Sequence, residues 1–195
     1  GKSTLIRNLA VAVAKGEPFF DRETKQGSVI YLAMEEFLPE VKKHFIELGV
    51  TKEDKIFTCT DLLPEDRLER LKNSIKKHNA SLVIIDTLYR CLQENDSNDY
   101  AKVTRAIDPY MQLAKDFNVH IIFVHHAKKG DVTGMDSILG SSALFGSVAT
   151  AMLMDHKHGH RTIESEQRSG IKLDELILIY DEKIKKYTLG KPLIE

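Results

Sequence analysis

Ser81-Leu82-Val83-Ile84-Ile85-Asp86 is the stretch on which the fold turns. It is a short, β-branched apolar run that ends in a carboxylate. Such a run, continuous rather than alternating, is what a strand covered on both faces requires. The segments before it repeat the theme. Pro64 to His78 predicts an amphipathic helix with Leu68, Leu71 and Ile75 inward, and Lys55 to Thr60 predicts a strand. Pro39 to Leu48 predicts a helix with Val41, Phe45 and Leu48 on one face and Gly49 at its end. Ser28 to Met34 (SVIYLAM) predicts a buried strand, and Ser3 to Lys15 a helix that is apolar nearly all round and stopped by Gly16.

After Asp86 and a polar stretch at Asn95 to Asp99, the spacing of Tyr100, Val103, Ile107, Met111, Ala114 and Phe117 predicts a helix, which Pro109 is expected to kink. Val119 to Val124 is a strand leading into His125-His126. Lys128 to Leu139 reads as a Gly-containing loop, followed by small residues from Gly140 to Thr150. Arg161 to Leu189 reads as short strands with a hairpin near Asp181 to Lys183. Alternating strands and helices of this kind imply an α/β fold with a mostly parallel sheet flanked by helices. The C-terminal strands are expected to be antiparallel, and the whole of 1–195 to form one domain.

The 195 residues carry 28 Lys plus Arg against 29 Asp plus Glu. That balance leaves no broad basic face for nucleic acid, so any DNA contact must be local. Apolar residues make up 42% and charged residues 29%, near the globular average, which disfavours disorder. No window approaches the roughly 18 consecutive apolar residues of a spanning helix, so no membrane partner is expected. Cys59 and Cys91 are unclustered, which fits a reducing, cytoplasmic setting better than a disulfide framework.

Gly1-Lys2-Ser3-Thr4 followed at once by a helix has the form of the second half of a phosphate-binding loop. Helix N-terminal amides favour phosphate, Lys2 adds a positive charge toward the β/γ oxygens, and the Ser3 hydroxyl can ligate Mg²⁺. The chain opens inside this loop, so the loop's earlier glycines and the strand before them are expected upstream, and without them ATP binding is expected to be weak. Asp86 ends its strand where open α/β sheets bind ligands, and it can hold Mg²⁺ through water or simply cap a turn. Glu35 and Glu36 follow another strand to the same edge. A carboxylate there can activate the attacking water, Glu35 ahead of Glu36, or serve as helix N-terminal charge before Pro39. Of His125 and His126, side-chain alternation lets one face the nucleotide. Metal ligation or a satisfied strand-end histidine are the other readings.

GKSTL, VIYLAMEE, LVIIDTLYR, IIFVHHAKKG and GSSALFG, in this order and spacing, resemble the RecA-like P-loop ATPase domain of the RepA type. That family includes hexameric replicative helicases of plasmids and relatives from phages and mobile elements. The resemblance covers essentially the whole chain. It implies ATP and Mg²⁺ as ligands, with Lys2 as the Walker A lysine, Ser3 and Asp86 as the Mg²⁺ residues and Glu35 as the catalytic glutamate. His126 is similar to a γ-phosphate sensor that related helicases supply as Gln. The family further implies a homo-oligomeric ring with ATP between subunits and a basic finger from the neighbour. In Glu166-Gln167-Arg168-Ser169-Gly170, Arg168 is the finger candidate, although a Lys is usual where Glu166 stands; a surface arginine is the other reading. Lys128 and Lys129 correspond to pore loops that touch single-stranded DNA in related rings, or belong to a solvated loop.

His156, His158 and His160 are better explained by a Gly-containing turn between strands than by a metal site. Lys183, Lys185, Lys186 and Lys191 read as a solvated hairpin face. The expected function is an ATP-hydrolysing motor domain of a ring-forming DNA helicase or replication protein. An ATP-gated assembly protein that does not translocate is the alternative, and a small-molecule P-loop kinase ranks behind it.

Overall fold

A computed structural model of the chain describes residues 1–60, 66–88, 90, 100–126 and 146–192. The elements are α1 (Lys2–Lys15), β1 (Ser28–Ala33), α2 (Leu38–Glu47), β2 (Ile56–Cys59), α3 (Arg67–His78), β3 (Ala80–Asp86), α4 (Tyr100–Asp116) and β4 (His120–Val124). Four strands follow: β5 (Thr150–Lys157), β6 (His160–Gln167), β7 (Leu176–Asp181) and β8 (Lys186–Pro192). Cys91, the 95–99 stretch, Lys128, Lys129 and the rest of 127–145 lie outside the described residues.

β1 to β4 form a parallel sheet in the order β2-β1-β3-β4. Every residue of β1 is buried, because helices cover both faces. Alternation along the strands sorts the core into two layers. Ile30, Leu32, Val83 and Ile85 pack with Leu71 and Ile75 of α3 and with Tyr110 and Leu113 of α4. Val29, Tyr31, Ala33, Leu82 and Ile84 face the other way, onto Ala10, Val11 and Ala14 of α1 and Val41 and Phe45 of α2. Each large aliphatic side chain buried in these layers contributes about 1.5–3 kcal/mol. α4 continues through Pro109 as one helix.

α1 runs antiparallel to β1. Near its C-terminal end the Val13 carbonyl accepts from the Gly27 amide (3.0 Å), just before β1 begins. Near its start, Arg7 pairs with Glu36, just past the end of β1. The helix stops at Gly16, whose φ of 71° is readily adopted only without a Cβ.

The C-terminal strands form a second sheet, antiparallel and ordered β5-β6-β7-β8. It begins at Thr150, earlier than the expected Arg161, because β5 buries alternate residues such as Ala151 and Leu153 and displays Met152 outward. The β5–β6 turn is His158-Gly159, both at positive φ (48° and 79°), the geometry of a two-residue hairpin. The β7–β8 hairpin is bound to α1 rather than merely solvated. Asn8, buried in α1, donates to the Lys185 carbonyl (3.0 Å) and accepts from the Tyr187 amide (2.9 Å). Lys185 pairs with Glu47 at 2.6 Å and Lys186 with Glu17 at 3.1 Å. No described helix is long and apolar enough to cross a membrane.

Candidate functional site: the carboxyl edge of the parallel sheet

Ala33, Asp86 and Val124 form one row across β1, β3 and β4, which brings the residues after each strand to a common edge. The Met34 amide donates to the Asp86 carbonyl at 2.6 Å and extends that row by one residue. Because α1 is antiparallel to the strands, its start lies toward the same edge. The P-loop candidates, the strand-end carboxylates and the histidine pair thus converge from four separate parts of the sequence.

Asp86 shares the α1 side of the sheet with Leu82 and Ile84, since alternate strand residues share a face. Its carboxylate is buried, and Oδ2 accepts from the Tyr31 hydroxyl at 2.9 Å. Burial, then the Asp86 charge, pushes the Tyr31 phenol far above its usual range, so it stays protonated and remains a donor. The Arg7 guanidinium lies 5.8 Å from the centroid of the Tyr31 ring.

Glu35 and Glu36 have different surroundings. Glu36 is the ion-pair partner of Arg7, and His44 Nε2 lies 3.7 Å from its other oxygen. Glu35 is more exposed, with Oε1 accepting from the Thr87 hydroxyl (3.0 Å) and lying 3.9 Å from Nε of Arg90. Thr87 immediately follows Asp86, so one short segment after β3 presents a carboxylate and steers a second.

At the start of α1, Gly1 is the N-cap residue. The first turn, holding Lys2, Ser3 and Thr4, contains no acidic residue, so nothing there offsets the positive end of the helix. Thr4 lines a small cavity between α1, α2 and the β7–β8 hairpin, beside Arg7, His44, Tyr180 and Lys185. His126 is exposed just beyond β4. Its neighbour His125 is half-buried, and Nδ1 is buried with no hydrogen-bond partner among the described residues. Burial first, then the charges of His126 and Lys2, holds His125 below the usual imidazole range. Arg168 is exposed after β6, with its amide donating to the Ala149 carbonyl (3.0 Å).

Phosphate and Mg²⁺ fit the residues present. An acid-free helix start with a lysine suits the phosphates, and a serine hydroxyl with a buried carboxylate gives the hard oxygen donors that Mg²⁺ takes. Among the described residues no cluster of three or more His, Cys, Asp or Glu could hold a metal, so the histidines of the β5–β6 hairpin form no such group. Arg7, Tyr31 and Thr87 escape a reading by motif. Tyr31 looks like one more core aromatic, and Arg7 like a solvated break in an apolar helix. The available signal is period-two alternation, which puts Tyr31 on the same sheet face as Asp86 once the strands are paired.

A parallel sheet with a phosphate-type helix start and carboxylates gathered at its carboxyl edge is the build of a RecA-like P-loop ATPase domain. The sequence model of the AAA domain family matches residues 1–132, and the chain belongs to that family. It is also similar to DNA repair protein RadA of Aquifex aeolicus (strain VF5), at 24% identity over 155 residues. The match covers 78% of this chain and 30% of that protein, so the chain spans under a third of its relative's length.

Proposed function

We propose that the chain is the ATP-hydrolysing motor domain of a ring-forming DNA helicase or replication protein of the RepA type. The observation that carries the reading is the division of labour at the sheet edge. Asp86 is buried and held by a hydrogen bond, whereas Glu35 is half-exposed and steered by Thr87. The similarity to a protein named for DNA repair favours a DNA-linked role.

In this reading the start of α1 and Lys2 hold the phosphates of ATP, and Ser3 and Asp86 hold Mg²⁺. The bound cation supplies neutralisation of phosphate charge. Glu35 orients a water molecule and takes its proton, with Thr87 fixing the carboxylate's direction. His126 senses the occupancy of the γ-phosphate position. A homo-oligomer, expected to be a hexamer, places Arg168 of one subunit at its neighbour's nucleotide and concentrates Lys128 and Lys129 around a channel for single-stranded DNA.

Steady-state ATP hydrolysis by the full-length protein, with and without single-stranded DNA, tests the proposal. Stimulation by DNA that disappears in Glu35→Gln is the expected result. Hydrolysis indifferent to DNA would replace the motor with an ATP-gated assembly protein, and phosphate transfer to a small acceptor would replace both with a kinase.

A further inference from the structure

Tyr31 is fully buried in the middle of β1, yet its one polar atom is spent on the Asp86 carboxylate 2.9 Å away. The register explains the reach. Tyr31 is paired with Ile84, and Asp86 lies two residues further along β3 on the same face, a diagonal that an aromatic side chain can span. The ring is held on two sides. Phe45 of α2 meets it edge-on, with centroids 5.4 Å apart and planes at 88°, and the Arg7 guanidinium lies 5.8 Å from its centroid. Arg7 is itself buried and anchored by Glu36, which holds its guanidinium beside the ring. A continuous series of contacts therefore runs from the phosphate-type helix through Arg7 and Tyr31 to the strand-end aspartate.

Packing alone does not call for a hydroxyl at this position, since phenylalanine would fill the same volume. A phenol buried beside a carboxylate makes a charge-assisted hydrogen bond, which fixes the carboxylate's rotation. With Oδ2 engaged, Asp86 offers its other oxygen in one orientation instead of two.

We propose that Tyr31 is a positioning residue that orients Asp86 toward the divalent cation and so sets how much Mg²⁺ the site needs to bind nucleotide. The proposal rests on the ATPase reading above and adds to it a residue outside the motifs. Tyr31 acts only through Asp86, so its effect belongs to the cation-dependent part of binding. Lys2 and the helix start, which bind phosphate without the cation, are untouched by it.

The test measures binding of a fluorescent ATP analogue to the full-length protein and to Tyr31→Phe, across a Mg²⁺ titration and in EDTA, alongside thermal melting. The expected result is an increase of about tenfold in the Mg²⁺ concentration giving half-maximal binding, the loss of one charge-assisted hydrogen bond. The residual binding in EDTA should hardly change, and the melting temperature should fall by no more than several degrees, because a buried carboxylate loses its donor while the fold is kept. In an Asp86→Asn background the same substitution should have no further effect on the Mg²⁺ requirement. An unchanged Mg²⁺ requirement would overturn the positioning role while leaving the ATPase reading intact, as would an equal loss of binding in Mg²⁺ and EDTA. A wild-type protein that binds no nucleotide under any condition would overturn the ATPase reading, and this role with it.

Discussion

Glu35 and Glu36 are adjacent, chemically identical and delivered to the same edge by the same strand, so spacing cannot separate them. Arg7 does. It holds Glu36 in an ion pair, whereas Glu35 keeps a half-exposed carboxylate with only a threonine hydroxyl on it and Arg90 nearby. Glu35→Gln is expected to lower ATP turnover by about 10²–10⁴-fold, the usual scale for a removed general base, while leaving nucleotide affinity close to wild type. Glu36→Gln should act on stability instead. It leaves Arg7 buried with a neutral partner, at a cost of about 1–3 kcal/mol after allowance for the partial exposure of Glu36. Parallel measurements of turnover and chemical denaturation on the two variants check both expectations. Loss of turnover in Glu36→Gln alone would reverse the assignment. Arg7 was not legible as a structural residue, because its partner lies 29 positions away and a lone arginine in an apolar helix gives no sign of whom it meets.

The elements were legible in proportion to how fully they are buried. β1 and β3 are continuous apolar runs because helices cover both their faces, and their ends fall within about a residue of where the pattern stops. α3 was harder to bound. Its pattern begins at Pro64, whereas the helix begins at Arg67, and 61–65 lie outside the described residues. β5 is implied only by the Gly-containing turn at His156 to His160, and its start is unmarked because a half-buried strand that begins among small residues shows only weak alternation. The basic hairpin reads as a solvated face, whereas its attachment to α1 depends on Asn8 meeting residues 177 and 179 positions away. That attachment makes a prediction. Asn8→Ala strands a buried amide and a carbonyl together and should cost about 1–3 kcal/mol. For a domain of this size that corresponds to a fall in Tm of about 2–4 °C per kcal/mol, read by thermal melting. Lys183→Ala, in the exposed turn of the same hairpin, should lie within about 0.5 kcal/mol of wild type. An Asn8→Ala melting curve that overlays wild type would show that the hairpin is held by its ion pairs and by apolar packing such as that of Leu5 against Leu178 and Tyr187, without help from Asn8.

At the scale of the molecule, the alternation of helices and strands was enough to place a parallel α/β sheet and to bring Lys2, Asp86, Glu35 and the histidine pair to one edge, since strand direction alone determines which ends meet. The split into two sheets was not legible, because pairing partners are a three-dimensional choice that a run of strand-forming residues does not encode. The link between the phosphate-type helix and Asp86 through Arg7 and Tyr31 was hidden for the same reason, since it joins three elements through side chains that look like ordinary core. The central claim is that this edge is built around a phosphate-binding lysine and hydrolyses ATP. The most direct measurement is steady-state ATP hydrolysis by the full-length protein and its Lys2→Ala variant, with folding of the variant verified by thermal melting. Turnover in the wild type that falls to background in a folded Lys2→Ala protein is the predicted result. Equal turnover in the two proteins would contradict it.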